Sequence, residues 1–145
     1  MLTDRLCRLH HREGMPAPLP LDVVRALRGV TDLDRLGVFR DQIIYFDVVS
    51  STNDVAMDML KDGRQDGTVV LAAAQDRGRG RRGRSWFSPE GSGLYLSFIW
   101  RDAPHGLTTL LVGVAAAEAL RKVTKVPVDL EWPNDLVVEL SLIHI

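Results

Sequence analysis

The sequence predicts an α/β fold of the α+β kind, a mixed sheet with helices packed on one side. Three observations predict it. Strand-length runs rich in β-branched and aromatic residues alternate with helix-length amphipathic stretches, in the order strand, helix, strand, strand, helix, strand. The run Val69-Val70-Leu71-Ala72-Ala73-Ala74 is continuously apolar, which marks a strand covered on both faces. The 145 residues are 46% hydrophobic and 26% charged, enough apolar mass for one domain core and too much for a disordered chain.

Residues 1–40 read as an N-terminal segment or linker, punctuated by Pro16, Pro18 and Pro20. Within them Leu21 to Arg28 can form a short helix, with Asp22 in its first turn and Gly29 at its end. Residues 41–136 carry the domain. Ile43 to Val49 is its first strand. Ser51 or Thr52 caps the helix that follows, whose Val55, Ala56, Met59 and Leu60 share a face and which Gly63 can end. Val69 to Ala74 is the second strand and Gln75 closes it. Leu94 to Trp100 is the third strand. Thr108 or Thr109 caps a helix running to about Val123, with Leu110, Leu111, Val114, Ala115 and Ala119 as its apolar stripe and Arg121 and Lys122 at its negative end. Val126 to Trp132 is a fourth strand, broken by Pro133. Residues 137–145 are expected to lie outside the domain as a tail.

Charge and composition bound the function. Net charge is −1, which argues against a general nucleic-acid binder, because the positive charge is local. The single cysteine, Cys7, permits no internal disulfide. No apolar run reaches the ~18 residues of a membrane helix, and Asp4, Arg5, Arg8 and His10 interrupt any signal-peptide pattern. A cytoplasmic protein with no membrane role is expected. The histidines (His10, His11, His105 and His144) show no metal-ligand spacing, and no metal site is assigned.

The most informative stretch is Arg77-Gly78-Arg79-Gly80-Arg81-Arg82-Gly83-Arg84. Glycine lets the backbone turn and approach a ligand closely. Arginine brings a permanent charge and a planar fork of donors that grips carboxylate or phosphate. The stretch suits a loop that orders around an anion. A plain surface loop and a nucleic-acid patch have the same composition. Ser51 and Thr52 sit where a strand passes into a helix, so they serve either as a cap or as ligand-facing hydroxyls beside free N–H groups. Asn53, in the first turn, is otherwise a solvated residue. Gln75 both donates and accepts, toward a ligand or toward nearby backbone. Trp86 beside Phe87 is otherwise core, and Pro133-Asn134-Asp135 is otherwise a turn.

Taken in series, Ser51-Thr52-Asn53, Gln75, the arginine-glycine stretch, Trp86-Phe87-Ser88-Pro89, Gly93-Leu94-Tyr95-Leu96-Ser97 and Trp132-Pro133-Asn134-Asp135-Leu136 resemble the catalytic domain of the biotin protein ligase family, over about Ile43 to Leu136. The resemblance implies a class II synthetase-like core, here incomplete at the C-terminus. It implies ATP-dependent ligation of biotin, through biotinyl-adenylate, to a lysine of a biotin carboxyl-carrier protein domain, with ATP and Mg²⁺ required. It places Ser51, Thr52, Asn53, Gln75, Gly78, Arg79, Gly80 and Arg81 at the biotin site, with Arg79 and Arg81 as the catalytic cations. It places Trp86, Asn134 and Asp135 at the nucleotide. No winged helix is evident, so DNA binding is not expected. The incomplete sheet would leave an open edge, which makes a homodimer a further expectation.

Two departures stand out. Glu131 occupies the position before Trp132 where the family carries lysine, and no lysine follows Lys125. The expectation is therefore a fragment impaired in adenylate formation. The alternatives are a lipoate or octanoate ligase or transferase, a non-catalytic biotin or adenylate binder, and a nucleic-acid binder acting through the arginine loop.

Overall fold

The structure is a computed structural model, and it describes residues 14–29, 42–80, 83–104, 106–132, 135–138 and 141–143. The chain divides into two compact units, Met1–Arg101 and Asp102–Ile145. Among the described residues no helix is long and apolar enough to cross a membrane.

The first unit contains α1 (Leu21–Gly29), β1 (Ile43–Val49), α2 (Thr52–Lys61), β2 (Val69–Arg79), β3 (Ser85–Ser88) and β4 (Tyr95–Phe98). The predicted first strand and the amphipathic helix after it are where the sequence put them. β1 and β2 run parallel, with Ile43 opposite Val69 and Val49 opposite Gln75. A parallel pair needs a crossover, and α2 provides it. β4 pairs antiparallel with the first part of β2, Val69 opposite Phe98 and Ala72 opposite Tyr95. The sheet is therefore mixed. Ala17 adds an isolated bridge to Tyr45 on the outer side of β1.

α2 lays Val55, Ala56 and Met59 against Phe46, Val49, Val70, Ala72 and Ile99, with Ile44 and Leu60 packed at the margin. Only alternate residues of β2 are fully buried there, Val70 and Ala72, because the pleat turns their neighbours to the other face. Gly63, at φ 83°, ends the helix. Its N–H donates to the Leu60 carbonyl at 3.1 Å and the Arg64 N–H to the Met59 carbonyl at 3.0 Å, the paired bonds of a Schellman stop.

β2 runs farther than expected. It continues through Gln75 to Arg79 and pairs antiparallel with β3, a strand that sequence reasoning did not anticipate. The first three residues of the arginine-glycine stretch, Arg77 to Arg79, are thus strand rather than loop. The pairing slips between Gln75 and Gly78, which gives β2 a bulge there. The third strand is shorter than the predicted Leu94 to Trp100.

The second unit contains α3 (Thr108–Thr124) and an antiparallel meander of β5 (Asp129–Glu131), β6 (Asp135–Val138) and β7 (Ser141–Ile143). Its core is Ala117, Val128 and Leu136, supported by Ala116, Leu120, Leu130 and Val138. The helix therefore packs through Ala116, Ala117 and Leu120, not through the stripe that begins at Leu110 and Leu111. α3 is apolar around most of its circumference, so its period alone could not choose the face. Neither threonine caps it. Leu107 holds the N-cap position, and the Thr108 hydroxyl donates back to the Pro104 carbonyl at 2.7 Å. Lys125 stops the helix in the left-handed region, φ 61°, where glycine is usual. The following strand has only three residues, Asp129 to Glu131, instead of the predicted Val126 to Trp132, because only these pair with β6.

Candidate active site

The site forms where β1 and β2 end and α2 begins. A helix start leaves its first N–H groups without internal partners. Ser51 stands at the N-cap but its side chain makes no capping bond. The cap comes from β2 instead. The Thr52 N–H donates to Gln75 Oε1 at 2.8 Å, and the Thr52 hydroxyl reaches the same oxygen at 3.2 Å. Parallel register makes this possible, because Gln75 lies opposite Val49 at the end of β1.

A backbone N–H can only donate, so the amide oxygen of Gln75 must face Thr52. Its nitrogen then faces the other way and donates to Ser88 Oγ at 3.1 Å. The Thr52 hydroxyl, having spent its proton on Gln75, accepts from Ser97 Oγ at 3.0 Å. Ser88 passes its own proton to the Trp86 carbonyl across a long 3.5 Å contact. Four side chains from α2, β2, β3 and β4 are thus joined in one polarised chain. Thr52 and Ser88 are each 4% exposed and Ser51 is 2% exposed, so these three lie below the surface, while Gln75 and Ser97 are half-buried.

Gly78 packs its backbone against this network with no room for a side chain. A Cβ there would stand 2.6 Å from Ser88 Oγ, 2.9 Å from the Trp86 carbonyl and 3.1 Å from Gln75 Nε2. Gly80 is equally constrained, because the Trp86 indole edge occupies the space its side chain would take. Its N–H donates to the Arg84 carbonyl at 2.7 Å, closing the hairpin on the described side. Trp86 itself is 38% exposed, so it is a surface aromatic rather than part of the core.

Arg79 points one guanidinium nitrogen at Asp54, with Nη2 to Oδ2 at 2.8 Å. The Arg77 N–H donates to the Ser50 carbonyl at 2.9 Å, which ties the end of β2 to the turn before α2. Asn53 is exposed in the first turn of α2.

The structure therefore brings together Ser51, Thr52, Gln75, Gly78, Arg79, Gly80 and Trp86 within the first unit. Arg81 and Asn134 lie outside the described residues. Asp135 belongs to the second unit, where it begins β6 opposite Glu131. Sequence reasoning missed three contributors. Ser88 and Ser97 stood in plain view in the Trp-Phe-Ser-Pro and Leu-Tyr-Leu-Ser words, but only the strand pairing shows that both hydroxyls converge on Gln75 and Thr52. Asp54 gave no signal beyond following Asn53. Among the described residues no group of three or more His, Cys, Asp or Glu side chains is placed to hold a metal ion.

Comparison with known proteins gives a consistent picture. Residues 45–141 match the model of the biotin/lipoate A/B protein ligase family. The match extends past Leu136 into the segment expected to lie outside the family. The bifunctional ligase/repressor BirA of Salmonella typhimurium is 39% identical over 129 residues, covering 86% of this chain and 38% of that protein. The chain thus spans less than half the length of this relative. A biotin protein ligase from Aquifex aeolicus, solved in complex with biotin and ATP, superposes with a TM-score of 0.61 at 34% identity, over 70% of this chain and 44% of that one. The Leishmania major biotin protein ligase, solved with biotinyl-5-AMP, superposes with a TM-score of 0.60 at 28% identity, over 70% of this chain and 49% of that one.

Proposed function

Because the chain belongs to the biotin/lipoate A/B protein ligase family, we propose that the site at the head of α2 receives biotin. In this reading residues 41–136 form part of a centre that joins biotin to ATP as biotinyl-adenylate and passes it to a lysine of a carboxylase carrier protein. The observation that carries the reading is the directed network through Thr52, Gln75, Ser88 and Ser97. Biotin presents an apolar bicycle, a ureido group that both donates and accepts, and a carboxylate. A site for it needs a few aimed polar groups beside apolar surface and a cation for the acid. Gln75 has its oxygen committed to Thr52 and one amide proton committed to Ser88, which leaves its second amide proton for a ureido carbonyl. The buried Ser51 hydroxyl adds a group able to accept from a ureido N–H. Arg79 supplies the cation.

The first reaction joins two anions. A carboxylate oxygen of biotin attacks the α-phosphorus of ATP and pyrophosphate leaves. In the second, the acceptor lysine amine attacks the acyl carbon, AMP leaves, and the amine releases its proton. The protein's part in the first step is to align the two anions and set fixed positive charge beside them. Arg79 and Arg81 are the residues assigned to that task. Mg²⁺ bound with ATP would add positive charge on its phosphates. Trp86, Asn134 and Asp135 are assigned to the nucleotide on the family likeness.

Calorimetry with biotin, lipoate and octanoate tests the reading. Binding of biotin in preference to the other two is the expected result. A preference for lipoate or octanoate moves the chain to another branch of the family. Salt-sensitive binding of nucleic acid with no response to any of the acids would overturn the reading altogether.

A further inference from the structure

Arg79 does not meet its ligand as a free cation. Asp54, in the first turn of α2, already holds Arg79 through the 2.8 Å pair between Oδ2 and Nη2. The carboxylate is the more enclosed partner, 31% exposed against 66% for the arginine side chain. Both ends of the pair sit on fixed backbone. Asp54 rides on a helix whose first turn is closed by the Val55 N–H to the Ser51 carbonyl at 3.0 Å. Arg79 is the last residue of β2, two positions beyond the Arg77 N–H that donates to the Ser50 carbonyl at 2.9 Å. A guanidinium carries five donors in a rigid plane, so one bond at Nη2 restricts where that plane can swing and leaves other donors for a second anion. An arginine held in this way gives up less conformational freedom when a ligand arrives.

We propose that Asp54 is a positioning residue for Arg79: it does not touch biotin but holds the guanidinium in place for the ligand's carboxylate. This rests on the biotin reading of the site. The consequence is selective. Asp54 should matter for ligands with a free acid and not for ligands that share only the ureido bicycle.

The test is calorimetry of the 145-residue chain with biotin and with biotin methyl ester, which keeps the bicycle and loses the charge. The unaltered chain should prefer the acid. Asp54→Ala should weaken biotin about threefold, the scale of an exposed ion pair, and leave the ester unchanged. Asp54→Glu should recover the lost affinity. In an Arg79→Ala background, Asp54→Ala should have no further effect on biotin, because the two residues act as one unit. Tighter biotin binding by Asp54→Ala would make Asp54 a competitor and overturn the inference. An equal loss for acid and ester would reduce it to a structural residue and overturn it too. A silent Asp54→Ala in a chain that binds biotin defeats this inference alone. A chain that binds neither ligand defeats the biotin reading and this inference with it.

Discussion

The Thr52 N–H is capped by the side chain of Gln75, 2.8 Å away and 23 residues along the chain. A helix start is thereby fastened to a neighbouring strand, and the residue that fastens it also presents an amide to the site. Replacing Gln75 by Ala should cost about 1–2 kcal/mol of stability, the range for losing a cap or leaving a buried donor unmade. Gln75→Glu tests the direction of the network. Its carboxylate still accepts from Thr52 at the positive end of α2, but it offers no proton to Ser88. Urea unfolding should rank the chains unaltered, Glu, Ala, and biotin binding should fall in both variants.

Gly78 and Gly63 offer a contrast between two reasons for being glycine. Gly63 has open space around it and is required for its φ of 83°. Gly78 has an ordinary φ but no room, with Ser88 Oγ 2.6 Å from where a Cβ would stand. Gly63→Ala should therefore cost about 1 kcal/mol of backbone strain and leave the ligand site untouched. Gly78→Ala should cost about 1–3 kcal/mol through overpacking, and it should also disturb Gln75 and Ser88. Thermal unfolding with and without biotin separates them. Equal ligand responses in the two variants would show that Gly78 is not tied to the site.

Much of this site was legible because its chemistry is local. Ser51, Thr52, Gln75 and the arginine stretch each announce a turn, a helix start or a cation within a few residues. What stayed hidden depends on long-range pairing. Ser88 and Ser97 become partners of Gln75 and Thr52 only when β3 and β4 line up along β2, and no local period encodes that register. The extension of β2 to Arg79 was masked for the same reason. Glycine has low strand preference, and here the partner strand decides. The packed face of α3 was illegible for the opposite reason, since too many of its residues are apolar for a stripe to stand out.

Arg79 lies at the surface with its partner Asp54, so its removal should separate binding from stability. Exposed ion pairs contribute about 0–1 kcal/mol to folding, whereas a charge-assisted bond to a ligand is worth about 1.5–3 kcal/mol. Arg79→Ala should leave the unfolding midpoint almost unchanged and weaken biotinyl-adenylate binding by the larger amount. Ser85→Ala, at the opposite position in the hairpin, should do little to either. A loss of stability comparable to the loss of binding would mean that Arg79 is a structural clamp instead.

Glu131 and Asp135 face each other across the β5–β6 pair, two carboxylates in register. Like charges directly opposed in an antiparallel ladder repel, and opposite charges there contribute about 0.2–1 kcal/mol. Glu131→Lys turns the repulsion into an attraction and restores the residue type that the family likeness expects before Trp132. The variant should unfold at higher urea, and its gain should shrink in high salt, because both groups reach solvent. Glu131→Gln should gain about half as much, since it removes the repulsion without adding an attraction. If Glu131→Lys instead lowers stability, the acidic pair is serving another purpose, and cation binding by the unaltered chain would be the next measurement.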